Sequence, residues 1–423
     1  MAGAEPKGRM IEPALFDASG LGERLEHVRE SPIFPIPSPL QEILDTGGYA
    51  HYSQEVDRTA IAERIDRNEV ALGRALIAAL YEAALSLGVE FRTNTPAREL
   101  VVDDERVVGL VAGGDRTEDR LVHANAVIIA AGGMEWDEEL CEQFLEGPLT
   151  APASPPYNEG DGIKMGMELG AKLGNMQEAW WYPTTHILGE AWEDGSSLYR
   201  LPVAERSLPG SLMVNSHGER FANEAGNYDD LGKVLHNFDP GEFGYPNIPS
   251  YILFDASYRR QYPVTVWKIG PDDPDPDWAV RAESLRQLAD MIDVDPDTLV
   301  ETVERFNKHA RRHEDPDYHR GESVYDRTFG DPRAEHPNLG PVDEPPFYAI
   351  RVYPGALGTK GGLFTTASAE VRHVNGGTIP GLYAASNSTA HVMGLGYVGG
   401  GATLGPNVTF GYIAGREAAA VGV

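Results

Sequence analysis

Hydrophobic periodicity along the chain switches between helical and strand spacing. Residues 68–88, NEVALGRALIAALYEAALSLG, set Leu72, Leu76, Leu80 and Leu87 on one helical face, and Gly88 is placed as the C-terminal cap. VEFRTNT (89–95) follows as a strand, and ELVVDDERVVGLVAG (99–113) as a hairpin around Asp103, Asp104 and Glu105. HANAVIIAAGG (123–133) is a short buried strand that ends in paired glycines. A helix begins in EGDGIKMGMELGAKLGNM (159–176), with Asp161 as its expected N-cap. SLMVNSHGERFANE (211–224) has the pattern of a strand and turn, and ADMIDVDPDTLVETVERFNKHARRH (289–313) that of two helices. GLYAAS (381–386) is a strand, and TLGPNVTFGYIAGREAAA (403–420) a closing helix. The prolines of SPIFPIPSPL (31–40) break any long helix, and the first 64 residues are expected to be irregular. Helix, meander and return to a buried strand predict an α/β fold with an antiparallel insert.

Composition narrows the function classes. The chain has 423 residues, long enough for two domains, and a formal net charge of −30. That charge opposes nucleic acid and anionic membranes as partners. No stretch approaches the roughly 18 apolar residues of a membrane span; the most apolar, 71–89, carries Arg74 and Glu82. The N-terminus lacks the apolar core of a signal peptide, so a cytoplasmic location is the default expectation. The one cysteine, Cys141, excludes an internal disulfide and a thiolate metal cluster, and the 12 histidines form no ligand pair.

GLGYVGGGATLG (394–405) contains G-x-G-x-x-G at Gly394, Gly396 and Gly399. A dinucleotide fingerprint needs a second strand and a ribose-binding acid about 20 residues on. No room remains for that strand before Val423. Two other uses remain: close helix–strand packing, or backbone N–H groups and a helix N-terminus brought against a flat, electron-rich ligand.

Several motifs occur in order over residues 68–420: VIIAAGG, NEGDGI, VNSHGERFANE, FDASYRRQYP, PPFYAIRVYPGALGTKGGL and IPGLYAASNSTAHVMGLGYVGGGATLGPNVTFGYIAGREA. Together they resemble the FAD-dependent 3-ketosteroid dehydrogenases of the fumarate-reductase-like flavoproteins. The resemblance implies an incomplete Rossmann-like FAD-binding domain with a smaller α+β catalytic domain inserted in it. The corresponding segments are 1–64 (irregular, Pro-rich), 65–215 and 351–423 (FAD-binding), and 216–350 (catalytic). It places the glycine loop beneath FAD, with Ala402 and Thr403 donating backbone hydrogen bonds. It further assigns Ala97 to the adenine, Ala131 and Gly132 to the cofactor, and Asp161 to the neighbourhood of the ribityl chain. Asn387 stands where many relatives carry glutamate.

The same resemblance implies the chemistry. Tyr397 and, four residues on, Gly401 would bind the C3 carbonyl of a small hydrophobic ketone, as an oxyanion hole does. Tyr262 would remove the C2 proton while hydride leaves C1, with Arg259 and Arg260 expected to lower its pKa. Arg259 also resembles the proton-donating arginine of the fumarate reductases. Their carboxylate anchors are replaced by Tyr397 and Gly358, which disfavours a dianionic substrate. The family's opening βαβ unit has no counterpart here, nor does a third active-site tyrosine expected with it. Two explanations stand open: a partner subunit carries that unit, or the chain is a truncated fragment of a longer one. The alternatives are a 3-oxo-5α-steroid 4-dehydrogenase, another alkene reductase, or a non-catalytic remnant or scaffold subunit.

Overall fold

The computed structural model describes residues 11–113, 119–265 and 268–421. Its largest element is a six-stranded antiparallel sheet built on the strand Phe347–Thr359. Ser250–Asp255 pairs with the first half of that strand and Ala179–Ala191 with the second. Ser211–Val214 and Ser197–Arg200 extend the two sides, and Val280–Ala282 pairs with Phe347–Ala349. The long strands carry Val, Ile, Tyr and Trp and are buried along most of their length, as a sheet covered on both faces requires.

Helices Leu285–Ile292 and Pro296–Ala310, capped by Ser284 and Asp295, cover one side through Leu288, Leu299, Val303 and Phe306. Tyr49, Tyr182, Met213, Ile252, Phe254, Tyr258, Tyr262 and Ile350 form the other cluster. Helix Tyr228–Leu235 lies directly on the strand Ala179–Ala191. Gly232 permits that approach, because a Cβ there would fall 2.6 Å from the Trp181 Cβ. Asn227 caps the helix by accepting from the Asp230 N–H.

A second layer holds the glycine motifs. Val127–Ile129 runs parallel to Thr378–Ala384, which pairs antiparallel with Glu370–Arg372. The meander Ala97–Asp103, Arg106–Ala112 and Arg120–His123 forms as expected, with Asp104 and Glu105 at positive φ in its first turn. Helix Leu404–Ala420 packs back through Ala414 against Ala369 and Tyr383.

Four expectations change. Residues 89–95 form no strand, because no neighbouring strand offers them a ladder. Helix Leu72–Ser86 buries Ala75 and Ala78 and leaves Ile77 and Leu80 half exposed, so its leucine stripe faces outward. Past the prolines, the N-terminal segment folds into helices Leu40–Asp45, Gly48–Glu55 and Arg58–Asp66, the last capped by Asp57. Asp161 is the first residue of helix Asp161–Glu168; Gly160, at φ +75°, holds the cap position. No helix among the described residues is long and apolar enough to cross a membrane.

Candidate active site

A cluster of tyrosines closes the sheet beneath the glycine loop. Tyr228 opens its helix, and its ring stacks on Tyr182 from the strand Ala179–Ala191, 4.5 Å between centroids and 28° between planes. Its other neighbour is Tyr397 of the loop, at 4.7 Å and 53°. The Tyr228 and Tyr397 hydroxyls face each other. Trp180 supports the Tyr397 ring edge-on at 6.3 Å. Tyr325 adds a hydroxyl, and Arg206, fully buried, bonds the Tyr182 and Tyr325 hydroxyls as well as the Glu224 and Gly226 carbonyls. Burial pushes the Tyr228 and Tyr397 phenols well above their ordinary range, so both rest neutral. Tyr182 is pushed up to about 12 by burial, with Arg206 pulling the other way.

Buried charges support this cluster from below. Lys360 follows the central strand and pairs with Asp229 at 3.1 Å, both side chains fully buried. Lys233 pairs with Glu178 at 3.2 Å and donates to the Leu395 carbonyl. His391, buried edge-on against Trp180 at 4.7 Å, is pulled down to about 4 by desolvation and the Lys360 cation.

The glycine loop turns at Gly394, Gly399 and Gly401, with φ of +51°, +121° and +86°, values that favour glycine. No atom would obstruct a Cβ at any of the three, so their outer face is open. Thr403 precedes helix Leu404–Ala420 with no side-chain cap, leaving the positive end of that helix to an external acceptor. The Ala402 N–H, expected to face the cofactor, closes a turn onto the Gly399 carbonyl at 3.1 Å.

The expected cofactor residues of the central layer do converge. The Ala131 N–H donates to Ser388 Oγ at 2.9 Å, and Ser388 Oγ donates to the Gly132 carbonyl at 2.8 Å. Gly162, next to Asp161, packs on Ile129 and Ala131. Asn387 accepts from Asn407 Nδ2 at 3.1 Å and closes over Gly358, where a Cβ would lie 2.6 Å from its Nδ2. Glu135 lies between Gly133 and Gly358, buried, with burial raising its carboxyl above the usual range. Ala97 lies apart from this group, at the start of the edge strand of the meander.

Tyr262 does not join Tyr397. Its buried hydroxyl donates to Asp331 Oδ2 at 2.8 Å, and His51 Nε2 meets Asp331 Oδ1 at 2.9 Å. Burial and that carboxylate raise its pKa, opposite to the expected lowering. The expected arginines point elsewhere. Arg259 donates to the Gly270 and Asp273 carbonyls and approaches Asp275 at 3.4 Å, so it is spent on a loop. Arg260 pairs with exposed Glu344. Tyr49 is buried in the cluster with Tyr182.

Tyr228, Lys360 and Asp229 escaped the sequence reading. Tyr228 and Asp229 are hidden in an ordinary capped helix start, NYDDLGK. Lys360 left one readable trace, a lone cation in the apolar run PGALGTKGGLF.

Comparison with known proteins places this geometry. A family model described as FAD binding domain matches residues 4–404. The 4-oxocyclohexanecarboxylate 2-dehydrogenase of Sinomonas cyclohexanicum is 41% identical over 99% of this chain and 72% of its own length. The 3-oxosteroid 1-dehydrogenase of Mycolicibacterium smegmatis is 36% identical over 99% of this chain and 76% of its own. The crystal structure of 3-ketosteroid delta1-dehydrogenase from Sterolibacterium denitrificans superposes with a TM-score of 0.88 at 32% identity, covering 98% of this chain and 77% of that one. The open glycine face, the uncapped helix end and the converging 131–133, 162 and 387–388 backbone fit the flavin end of FAD. The chain belongs to the FAD binding domain family and is a flavin-dependent oxidoreductase with FAD as its cofactor.

Proposed function

We propose that the protein desaturates a 3-ketosteroid beside its carbonyl, between C1 and C2, at the Tyr228–Tyr397 pair. The observation that carries this reading is two phenols in ring contact beside an open glycine turn and an uncapped helix end. Bound FAD supplies the hydride acceptor. The Tyr397 hydroxyl and the Gly401 N–H hold the ketone oxygen and stabilise the enolate that forms as the neighbouring carbon loses its proton. Geometry favours Tyr228 over Tyr262 for that proton, because Tyr228 touches Tyr397 and Tyr262 is held by Asp331; neutral at rest, Tyr228 takes it while passing its own proton to Tyr397, which passes one to the ketone oxygen, so the enolate is quenched as the enol. The packed aromatic cluster of Tyr49, Tyr182, Phe34 and Phe329, on which Tyr228 rests, gives the pair an apolar setting that suits a neutral ring skeleton.

Thr403 and the first turn of the last helix would face the flavin, with Ala131, Gly132, Asp161 and Asn387 beside the ribityl chain. Ala97 would reach the adenine through its edge-strand backbone. Exposed Ile77, Leu80, Val408 and Tyr412, with the end strand Val127–Ile129, present apolar surface that further polypeptide would cover. That cover, a partner subunit or another segment, would supply the FAD diphosphate cradle.

A second reading is desaturation of an oxocyclohexane carboxylate, the substrate class in the name of the 41% identical relative. Arg206 is the cation in the tyrosine cluster that a carboxylate would need. The test offers the FAD-loaded protein a 3-ketosteroid or 4-oxocyclohexanecarboxylate with an artificial electron acceptor and, in parallel, fumarate with a reduced dye as electron donor. A ring-desaturated steroid supports the first reading, the desaturated cyclohexanone only supports the second, and succinate alone overturns both.

A further inference from the structure

We infer that Lys360 is a positioning residue that sets the distance between the Tyr228 and Tyr397 hydroxyls. The inference rests on the proposed role of that pair. An ammonium has three donors and no acceptor. One faces Asp229 Oδ2 at 3.1 Å, one the Gly396 carbonyl at 3.3 Å, and the ammonium lies over the Trp180 ring at 4.5 Å from its centroid. Asp229 directly follows Tyr228, and Gly396 directly precedes Tyr397. Each anchor is therefore one residue from one of the two phenols, on two elements that no β-ladder joins.

Lys360 is itself fixed at both backbone ends. Its N–H donates to the Glu178 carbonyl at 2.9 Å, beside the strand that carries Tyr182, and its carbonyl accepts from the His391 N–H at 2.9 Å, where the loop begins. The ammonium thus ties the strand, the Tyr228 helix and the Tyr397 loop at one point. Lys233, one turn after Asp229, adds a second tie through the Leu395 carbonyl. A buried ion pair is an inefficient way to stabilise a fold, since apolar residues of similar size often do as well. Its worth here is the geometry it imposes. Misplacement of about 1 Å between reacting groups can cost ~10²-fold in rate.

Removing Lys360 alone would strand the Asp229 charge and destabilise the fold, so the test uses Lys360→Met with Asp229→Asn, which removes both charges together. The full chain is loaded with FAD, with a covering polypeptide if loading requires one. Turnover is expected to fall about 30-fold or more with KM within about threefold, and with an unchanged unfolding midpoint. Without cofactor, amide exchange in residues 394–401 is expected to quicken at least about tenfold while the central sheet is unchanged. Wild-type turnover, or wild-type exchange in that loop, in a folded double variant would overturn the inference. Tyr397→Phe, run alongside, separates the two levels. If it turns over normally, the proposed role of the pair has failed. If it is crippled while the double variant works normally, only the positioning role of Lys360 has failed.

Discussion

Tyr228 and Tyr397 come from segments more than 150 residues apart, yet their rings meet at 4.7 Å and their hydroxyls face each other. No other phenol contacts Tyr397 this way among the described residues. Tyr262, by contrast, spends its proton on Asp331 at 2.8 Å.

This contrast separates two variants. Tyr228→Phe should lower turnover by about two orders of magnitude while FAD content stays near normal, as for loss of a general base. Tyr262→Phe should lower turnover much less. Its cost should be stability, about 1–2 kcal/mol, because Asp331 loses one of its donors. Steady-state kinetics and urea unfolding on both variants check the pair. A catalytic collapse in Tyr262→Phe with unchanged stability would return the base to Tyr262.

His391 predicts an acid limb in stability. Its pKa falls to about 4 in the fold, from an ordinary value of 6.5, because desolvation and Lys360 disfavour its cation. The folded state therefore binds fewer protons than the unfolded state, and stability is lost as pH falls from 6.5 towards 4. The loss between neutral pH and pH 4.5 should be about 2–3 kcal/mol. His391→Gln should remove most of that slope, measured by denaturant unfolding at the two pH values. An equal slope in both proteins would assign the acid limb to other groups.

Much of the fold was legible because it is local. The hairpin, the paired helices at 285–310 and the last helix follow from periodicity and caps that act within a few residues. The failures were tertiary. Residues 89–95 have strand composition but no neighbour to pair with, and Leu80 of helix Leu72–Ser86 points away from the core that Ala75 and Ala78 join. The site divides the same way. Tyr397, Gly401 and the backbone at 131–132 were named through the resemblance that contiguous glycine motifs carry. Tyr228 was not, because only the sheet brings an ordinary helix start beneath the loop. Arg259 and Arg260 looked useful next to Tyr262 in sequence, but a helix turns neighbouring side chains apart, and both point elsewhere.

The apolar surface at Ile77, Leu80, Val408 and Tyr412 predicts weak FAD binding by residues 1–423 alone. The sequence has no G-x-G-x-x-G outside residues 394–399 to cradle a diphosphate. Titration of FAD, followed by quenching of its fluorescence, should show little binding until a polypeptide with a G-x-G-x-x-G βαβ unit is added. Submicromolar affinity of the chain alone would show that its own residues complete the nucleotide site.

The central claim is that Tyr397 holds the ketone oxygen while the ring is oxidised. The direct measurement is anaerobic bleaching of oxidised FAD in a single turnover, wild type against Tyr397→Phe, with a saturated-ring 3-ketosteroid. The account predicts rapid bleaching in the wild type and a rate at least about 10²-fold slower in the variant, the scale of one lost oxyanion donor. Equal bleaching rates in the two proteins, each fully loaded with FAD, would contradict it.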